Sequence, residues 1–126
     1  TGAVPAWLDT YGRQAEPYRR IASLFTVHSL AYQGVYGRLL LAFGRMSRAP
    51  HLPAELPGKV NWIAQGIAHA DIVNTVSSTY AEQMRSGELD EPIGQLLKDR
   101  GDQFVGVLSG IDTRVWDPAS DAADGA

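Results

Sequence analysis

The chain has 126 residues, 44% apolar and 20% charged, with 13 Gly and 7 Pro, which is the size and make-up of one globular α/β domain. A net charge of −3 and a pI near 5.5 leave no basic footprint for nucleic acid or an anionic membrane. The absence of cysteine excludes a disulfide framework and a thiolate metal site, and no run approaches the roughly 20 apolar residues of a membrane-spanning helix.

Residues 3–12 (AVPAWLDTYG) put Val4, Trp7, Leu8 and Tyr11 on one helical face. Pro5 suits only a first turn, and Gly12 suits the residue after the helix. Residues 14–20 read as a polar connector, with Arg19-Arg20 on a solvated face. A strand is expected over 21–27. Its Leu24-Phe25-Thr26-Val27 run lacks polar alternation, the pattern of a strand buried on both faces. The run breaks at His28-Ser29 and ends in a turn-like Tyr32-Gln33-Gly34. Ligands of open parallel sheets bind just past the carboxyl ends of strands. An imidazole, a hydroxyl, a phenol, a carboxamide and a glycine at that place read as a site. Val35, Leu39, Leu40 and Phe43 suggest a short helix ending near Gly44 or Met46, and residues 49–57, with three prolines, read as loop.

Residues 58–70 read as a helix with Val60, Ile63, Ala64 and Ile67 on its apolar face and Trp62 beside it. A second strand follows over 70–76. Thr79 and Glu82 have the spacing of a capping box for the next helix, and Ser78 is an equally legal cap. That helix stops at Ser86-Gly87. Residues 88–91 form an acidic loop. Pro92 opens another helix, with Ile93, Leu96 and Leu97 inward and Gly101 at its end. A third strand is expected over 104–108 and a tight turn over 109–112. Past Pro118 the composition shifts to Ala, Asp, Ser and Gly, so residues 119–126 read as a disordered tail or the start of a linker. Strands alternating with helices imply right-handed crossovers and a parallel sheet. The fold class is therefore α/β, a partial Rossmann-like sheet with flanking helices over residues 1–118. Opening on Thr1 within a plausible helix reads as a piece of a longer protein.

Taken singly, these residues have plain readings too. A lone histidine such as His28 fits a hydrogen-bonded core position, and Tyr32, Gln33 and Gly34 fit an ordinary turn as well as a site. Gly34 is expected to supply a backbone angle that other residues resist. Residues 77–80 could turn free N–H groups toward an anion, but a capped helix is the simpler reading without a Gly-rich phosphate loop. Asp112 reads first as closing an Asx turn, Trp116 as packing, and Asp71, Asp90 and Asp99 as solvated or capping groups. No paired-carboxylate, Ser-His-Asp, metal-ligand or dinucleotide pattern is present.

Four stretches in register carry a resemblance. TVHSLAYQGVY, from Thr26, resembles the T-I/V-H-N-L-A-Y-Q-G segment of bacterial glycogen synthases and plant starch synthases, glycosyltransferase family 5. NWIAQGI from Asn61, ADIVNTVSSTYA from Ala70, and GVLSGID from Gly106 with Trp116-Asp117-Pro118 follow in the same order. The resemblance spans most of the chain between Leu24 and Pro118. Three positions depart from it: Ser29 and Ser109 stand where the family has Asn, and Ser78 where it has Pro.

What the resemblance implies is the later part of the first of two Rossmann-like domains in a retaining GT-B glucosyltransferase. Such an enzyme moves glucose from ADP-glucose, or UDP-glucose, to the non-reducing end of an α-1,4-glucan, without metal or further cofactor. It implies a catalytic role for His28, which positions the transferred glucose and supports its developing positive charge. It places Ser29, Tyr32, Gln33, Gly34, Ser109 and Asp112 as substrate-binding residues. The shorter hydroxyl at Ser29 has less reach than a carboxamide. Expected partners are the glucan acceptor, the nucleotide-sugar donor and a second Rossmann-like domain; neither nucleic acid nor membrane is expected, and the compartment is the cytoplasm, or a plastid in a plant. The family's K-T-G-G-L and D-W-H segments and its nucleotide-binding domain are absent from these 126 residues, so the chain by itself is expected to be inactive and weakly folded. The alternative is a non-catalytic glucan-binding module that reuses the half-domain. A different GT-B enzyme, such as a phosphorylase, is disfavoured by the motif spacing.

Overall fold

A computed structural model describes residues 2–117. The expected tail over 119–126 lies outside the described residues. Helix α1 spans Ala3–Thr10 and is followed by two 3-10 turns, Gly12–Gln14 and Tyr18–Arg20, the second within the polar connector expected over 14–20. Strand β1 is Leu24–Val27, β2 Val35–Gly37, α2 Leu40–Phe43, β3 Lys59–Asn61, α3 Trp62–His69, β4 Ile72–Thr75, α4 Ser78–Ser86, α5 Glu91–Asp99 and β5 Phe104–Gly106. No helix among them is long and apolar enough to cross a membrane.

The main sheet is parallel, in the order β1-β4-β5. Leu24 pairs with Ile72 and Val27 with Thr75; Val73 pairs with Phe104 and Thr75 with Gly106. This is the expected α/β architecture. Successive strands are laid down in one direction, and right-handed crossovers then bring every connecting helix to the same face. On that face Phe25, Val27, Val73 and Phe104 meet Ala64, Ile67, Met84, Ile93 and Leu97 in the core. Gly66 lets α3 lie close, since a Cβ there would stand 2.5 Å from the Phe25 ring.

The opposite face carries Leu24, Ile72 and Val105, all exposed, with Thr26 donating to Asn74 Oδ1 at 2.7 Å between them. Leu24 is 64% exposed, so β1 is buried on one face only. Ile72 and Val105 on that face are 41% and 43% exposed, and no described strand pairs with the outer edge of β1.

The two short strands were not expected. They form an antiparallel pair, Val35 with Asn61 and Tyr36 with Val60, and β3 takes the place of the first turn assigned to the 58–70 helix. Their closure rests on Glu55, whose side chain is fully buried. Its carboxylate accepts from Arg38 Nη1 at 3.2 Å, Leu52 N at 3.1 Å, Asn61 N at 2.9 Å and Gln65 Nε2 at 2.9 Å. A buried carboxylate persists only when donors surround it. A second core of Ala6, Leu41, Met46, Ala49 and Val60 packs under this segment.

At the amino ends of the strands, Asp71 ties β1 to β4. Ser23 donates to its carboxylate from the backbone at 2.7 Å and from the hydroxyl at 3.0 Å, and Arg13 Nη2 donates to the same oxygen. Asp71 is thus a latch between neighbouring strands, a fuller role than a solvated edge group. Burial works to raise its pKa, but the bonds from Ser23 and Arg13 outweigh it and hold the carboxyl below the ordinary 3.8. A depressed folded pKa gives stability that is complete above the unfolded value and lost as pH falls through the folded one. Asp71→Asn is expected to lower stability by about 1 kcal/mol at neutral pH, discounted for partial exposure. It should also flatten the loss of stability below about pH 4; urea titrations across pH 2–7 measure both.

Candidate functional site

All three parallel strands end on one edge of the sheet, and the expected site residues follow from there. His28 emerges directly after buried Val27 and is exposed. Ser29 Oγ accepts from Ala31 N at 3.1 Å, a short side-chain turn that uses one lone pair and leaves the hydroxyl proton available. Leu30 turns back into the core, and its N–H donates to the Tyr80 hydroxyl on α4 at 3.2 Å. One end of the loop is therefore pinned directly after His28 and Ser29.

The other end is pinned at α3. The carbonyls of Gln33 and Gly34 accept from Ile63 N at 3.1 Å and Trp62 N at 3.2 Å, two of the amides that a helix start leaves free. Gly34 sits at φ 67°, a region that a side chain disfavours, and a Cβ there would meet only ordinary contacts with Trp62. Its backbone angle is the requirement, as the sequence suggested. The Gln33 carboxamide is engaged at both ends: Oε1 accepts from Asn61 Nδ2 at 2.5 Å and Nε2 donates to Asp90 Oδ2 at 2.6 Å. Tyr32, between the two anchors, is 89% exposed.

A cleft of about 650 Å³ opens beside this loop, lined by Gly2, Phe25, Thr26, Tyr32, Gln33, Gly34, Tyr36 and Trp62 among others. It takes in the second half of the loop but not His28, Ser29, Ser109 or Asp112. Ser109 and Asp112 are exposed in the segment after β5, and the turn lies at residues 113–115, just past the 109–112 stretch where it was expected, because Asp112 supplies its acceptors. The β5 pairing continues to Val107, whose N–H donates to Thr75 O at 2.8 Å. The Asp112 carboxylate closes the expected Asx turn, accepting from Arg114 N at 3.0 Å, and it also accepts from the Arg114 guanidinium. Arg114 holds the Asp112 carboxyl below its usual range. Trp116, expected as packing, is 64% exposed because the described residues past Val107 have no layer to pack against.

The helix starts around the site are capped by side chains. Asn61 Oδ1 accepts from Ile63 N and Ala64 N, both at 3.1 Å, and Asp90 Oδ1 from Ile93 N at 3.0 Å. Ser77, not Ser78 or Thr79, caps α4, accepting from Tyr80 N at 3.0 Å. The helix is capped two residues earlier than the Thr79–Glu82 spacing suggested. Asn61, Tyr80 and Asp90 were not expected to support the site. A polar residue just before a helix was the available signal for two of them, and it spoke only of capping. Among the described residues no group of three or more His, Asp or Glu is placed to hold a metal.

This geometry defines a Rossmann-like half-domain that presents a doubly anchored polar loop at the carboxyl edge of its parallel sheet. A family model of the starch synthase catalytic domain matches residues 1–99, and the chain belongs to that family. A glycogen synthase of Elusimicrobium minutum is 39% identical over 126 residues, covering 95% of this chain and 26% of the relative. A glycogen synthase of Rhodopseudomonas palustris is 41% identical over 123 residues, covering 96% and 24%. The solved catalytic domain of starch synthase IV from Arabidopsis thaliana, bound to ADP and acarbose, superposes with a TM-score of 0.69 at 29% identity, over 94% of this chain and 25% of that one. The chain thus spans about a quarter of the length of the relatives it matches.

Tyr80→Phe removes the acceptor of the Leu30 N–H. It is expected to speed amide exchange at Leu30 roughly fivefold, the equivalent of about 1 kcal/mol, with the core amides of β4 unchanged; hydrogen exchange followed by NMR measures it.

Proposed function

We propose that this chain is part of a retaining glucosyltransferase that moves glucose from a nucleotide sugar to the non-reducing end of an α-1,4-glucan. ADP-glucose is the proposed donor, with UDP-glucose as the variant, and no further cofactor is invoked. The observation that carries the reading is the place of His28. It is exposed at the carboxyl end of a parallel strand whose neighbouring residue Val27 is buried, in a loop anchored from Tyr80 on one side and α3 on the other. Family membership supports it, as does the binding of ADP and acarbose by the starch synthase IV domain.

Glucosyl transfer passes through a cation-like sugar with charge at the anomeric carbon. Groups held rigidly where that charge develops favour the transition state over the ground state. In the proposed roles His28 positions the transferred glucose and supports that charge without abstracting a proton. Ser29, Tyr32, Gly34, Ser109 and Asp112 face the substrates from the same edge. Gln33 was expected beside them, and its engaged carboxamide leaves it one N–H and one lone pair for a substrate. The donor diphosphate is assigned to a second Rossmann-like domain outside these residues, and the compartment to the cytoplasm, or a plastid in a plant.

In the full-length protein that contains this chain, His28→Ala is expected to lower kcat by about 10²–10³ while substrate affinities change little. Ser29→Asn is expected to be neutral or mildly activating. Steady-state kinetics with melting temperatures check both; an intact kcat with a lowered Tm would make His28 a packing residue. The 126-residue chain by itself is expected to transfer no label from radiolabelled ADP-glucose to glycogen, and incorporation above a boiled control would overturn the need for a second domain.

A further inference from the structure

We propose that Gln33 is a positioning residue, a clamp that fixes the His28 loop by joining the caps of two helices, α3 and α5. The functional half of this inference rests on the glucosyltransferase reading; the clamp itself rests on geometry alone.

Asn61 and Asp90 each use one side-chain atom as a cap and the other to hold Gln33. Asn61 Oδ1 faces the α3 amides, so only its Nδ2 can face outward, and it donates to Gln33 Oε1 at 2.5 Å. That choice turns the Gln33 amide nitrogen toward Asp90, whose Oδ2 accepts it at 2.6 Å while Oδ1 caps α5. The order of donors and acceptors is therefore set along the whole chain, and flipping either carboxamide would bring like groups together. Asn61 is buried and Gln33 and Asp90 are half-buried, so a mismatch would not be fully relieved by water. The loop they fix is short. Leu30 is held by Tyr80 and residues 33–34 by α3, so the freedom left to His28 and Ser29 depends on both anchors. Gln33 acts through that loop.

The test is a swap of hydrogen-bonding order in the full-length protein that contains this chain. Gln33→Glu sets a carboxylate against Asp90, and Asp90→Asn sets an amide group against the Gln33 amide. The double variant Gln33→Glu/Asp90→Asn restores a donor–acceptor pair and keeps an acceptor for Asn61 and a cap for α5. Each single variant is expected to lose amide-exchange protection at Leu30, Ala31, Trp62 and Ile63, the N–H groups bonded within or to the loop, and about 10- to 100-fold in kcat, the scale of a misplaced reacting group. KM is expected to stay within about threefold, because His28, Ser29, Tyr32 and the 109–112 segment, which are proposed to face the substrates, are themselves unaltered. The double variant should recover both protection and kcat, and melting temperatures identify any variant that simply fails to fold. Unchanged protection in Gln33→Glu, a double variant no better than the singles, or a raised KM with intact kcat would overturn the clamp. Failure of the glucosyltransferase reading looks different: the wild-type protein transfers no glucose, and the exchange pattern of the three variants then decides the clamp by itself.

Discussion

The constraint on which the structure depends is the handedness of its crossovers. Three parallel strands follow one another across the sheet in a single direction, and each connection turns the same way. The helices therefore share one face, and the core is built there from Phe25, Val73 and Phe104 against α3, α4 and α5. The same order puts the three strand carboxyl ends on one edge. His28, the Ser77 cap and the segment leading to Ser109 are neighbours of that edge although they are far apart in sequence. The apolar residues left on the other face, Leu24, Ile72 and Val105, are the complement of this arrangement, because a parallel sheet is normally covered on both sides.

The main strands were legible because they are carried by local composition. Leu24–Val27, Ile72–Thr75 and Phe104–Gly106 are short runs dominated by apolar or β-branched residues, each preceded by a polar residue, Ser23, Asp71 or Gln103. Helix α5 announces itself with Asp90 and Pro92. The pair β2 and β3 was not legible. Three residues each, Val35-Tyr36-Gly37 and Lys59-Val60-Asn61 carry no alternation long enough to read. What makes them strands is one buried carboxylate, Glu55, gathering donors from Arg38, Leu52, Asn61 and Gln65. Nothing in the run PAELPG marks its glutamate as buried. The exposed face of β1 was unreadable for a related reason: a run of apolar residues states that a strand wants cover, not whether cover is there.

The candidate site divides along the same line. His28 and its loop were found from position, as polar groups following a strand, and Asp112 closes its turn as its residue type suggests. The supports of that loop were not found. Gln33 meets Asn61 and Asp90 across 28 and 57 residues of sequence, and Tyr80 reaches Leu30 across 50. Each partner had a sufficient local explanation as a cap or a helix-start residue, and that explanation concealed its second bond.

The two caps that share Gln33 also bear on how freely the sequence can drift. Helix caps are usually among the more forgiving positions, since Ser, Thr, Asp and Asn all accept from the first-turn amides. At residue 61 that tolerance is gone. Asp, Ser or Thr would still start α3, but Asp has no proton to offer the Gln33 oxygen and the hydroxyls are too short to reach it while capping. At residue 90 an Asn would cap α5 equally well, yet it would meet Gln33 with the wrong group. Positions 33, 61 and 90 are thus tied into a single choice of donors and acceptors, and a neutral path between alternatives must change more than one of them together.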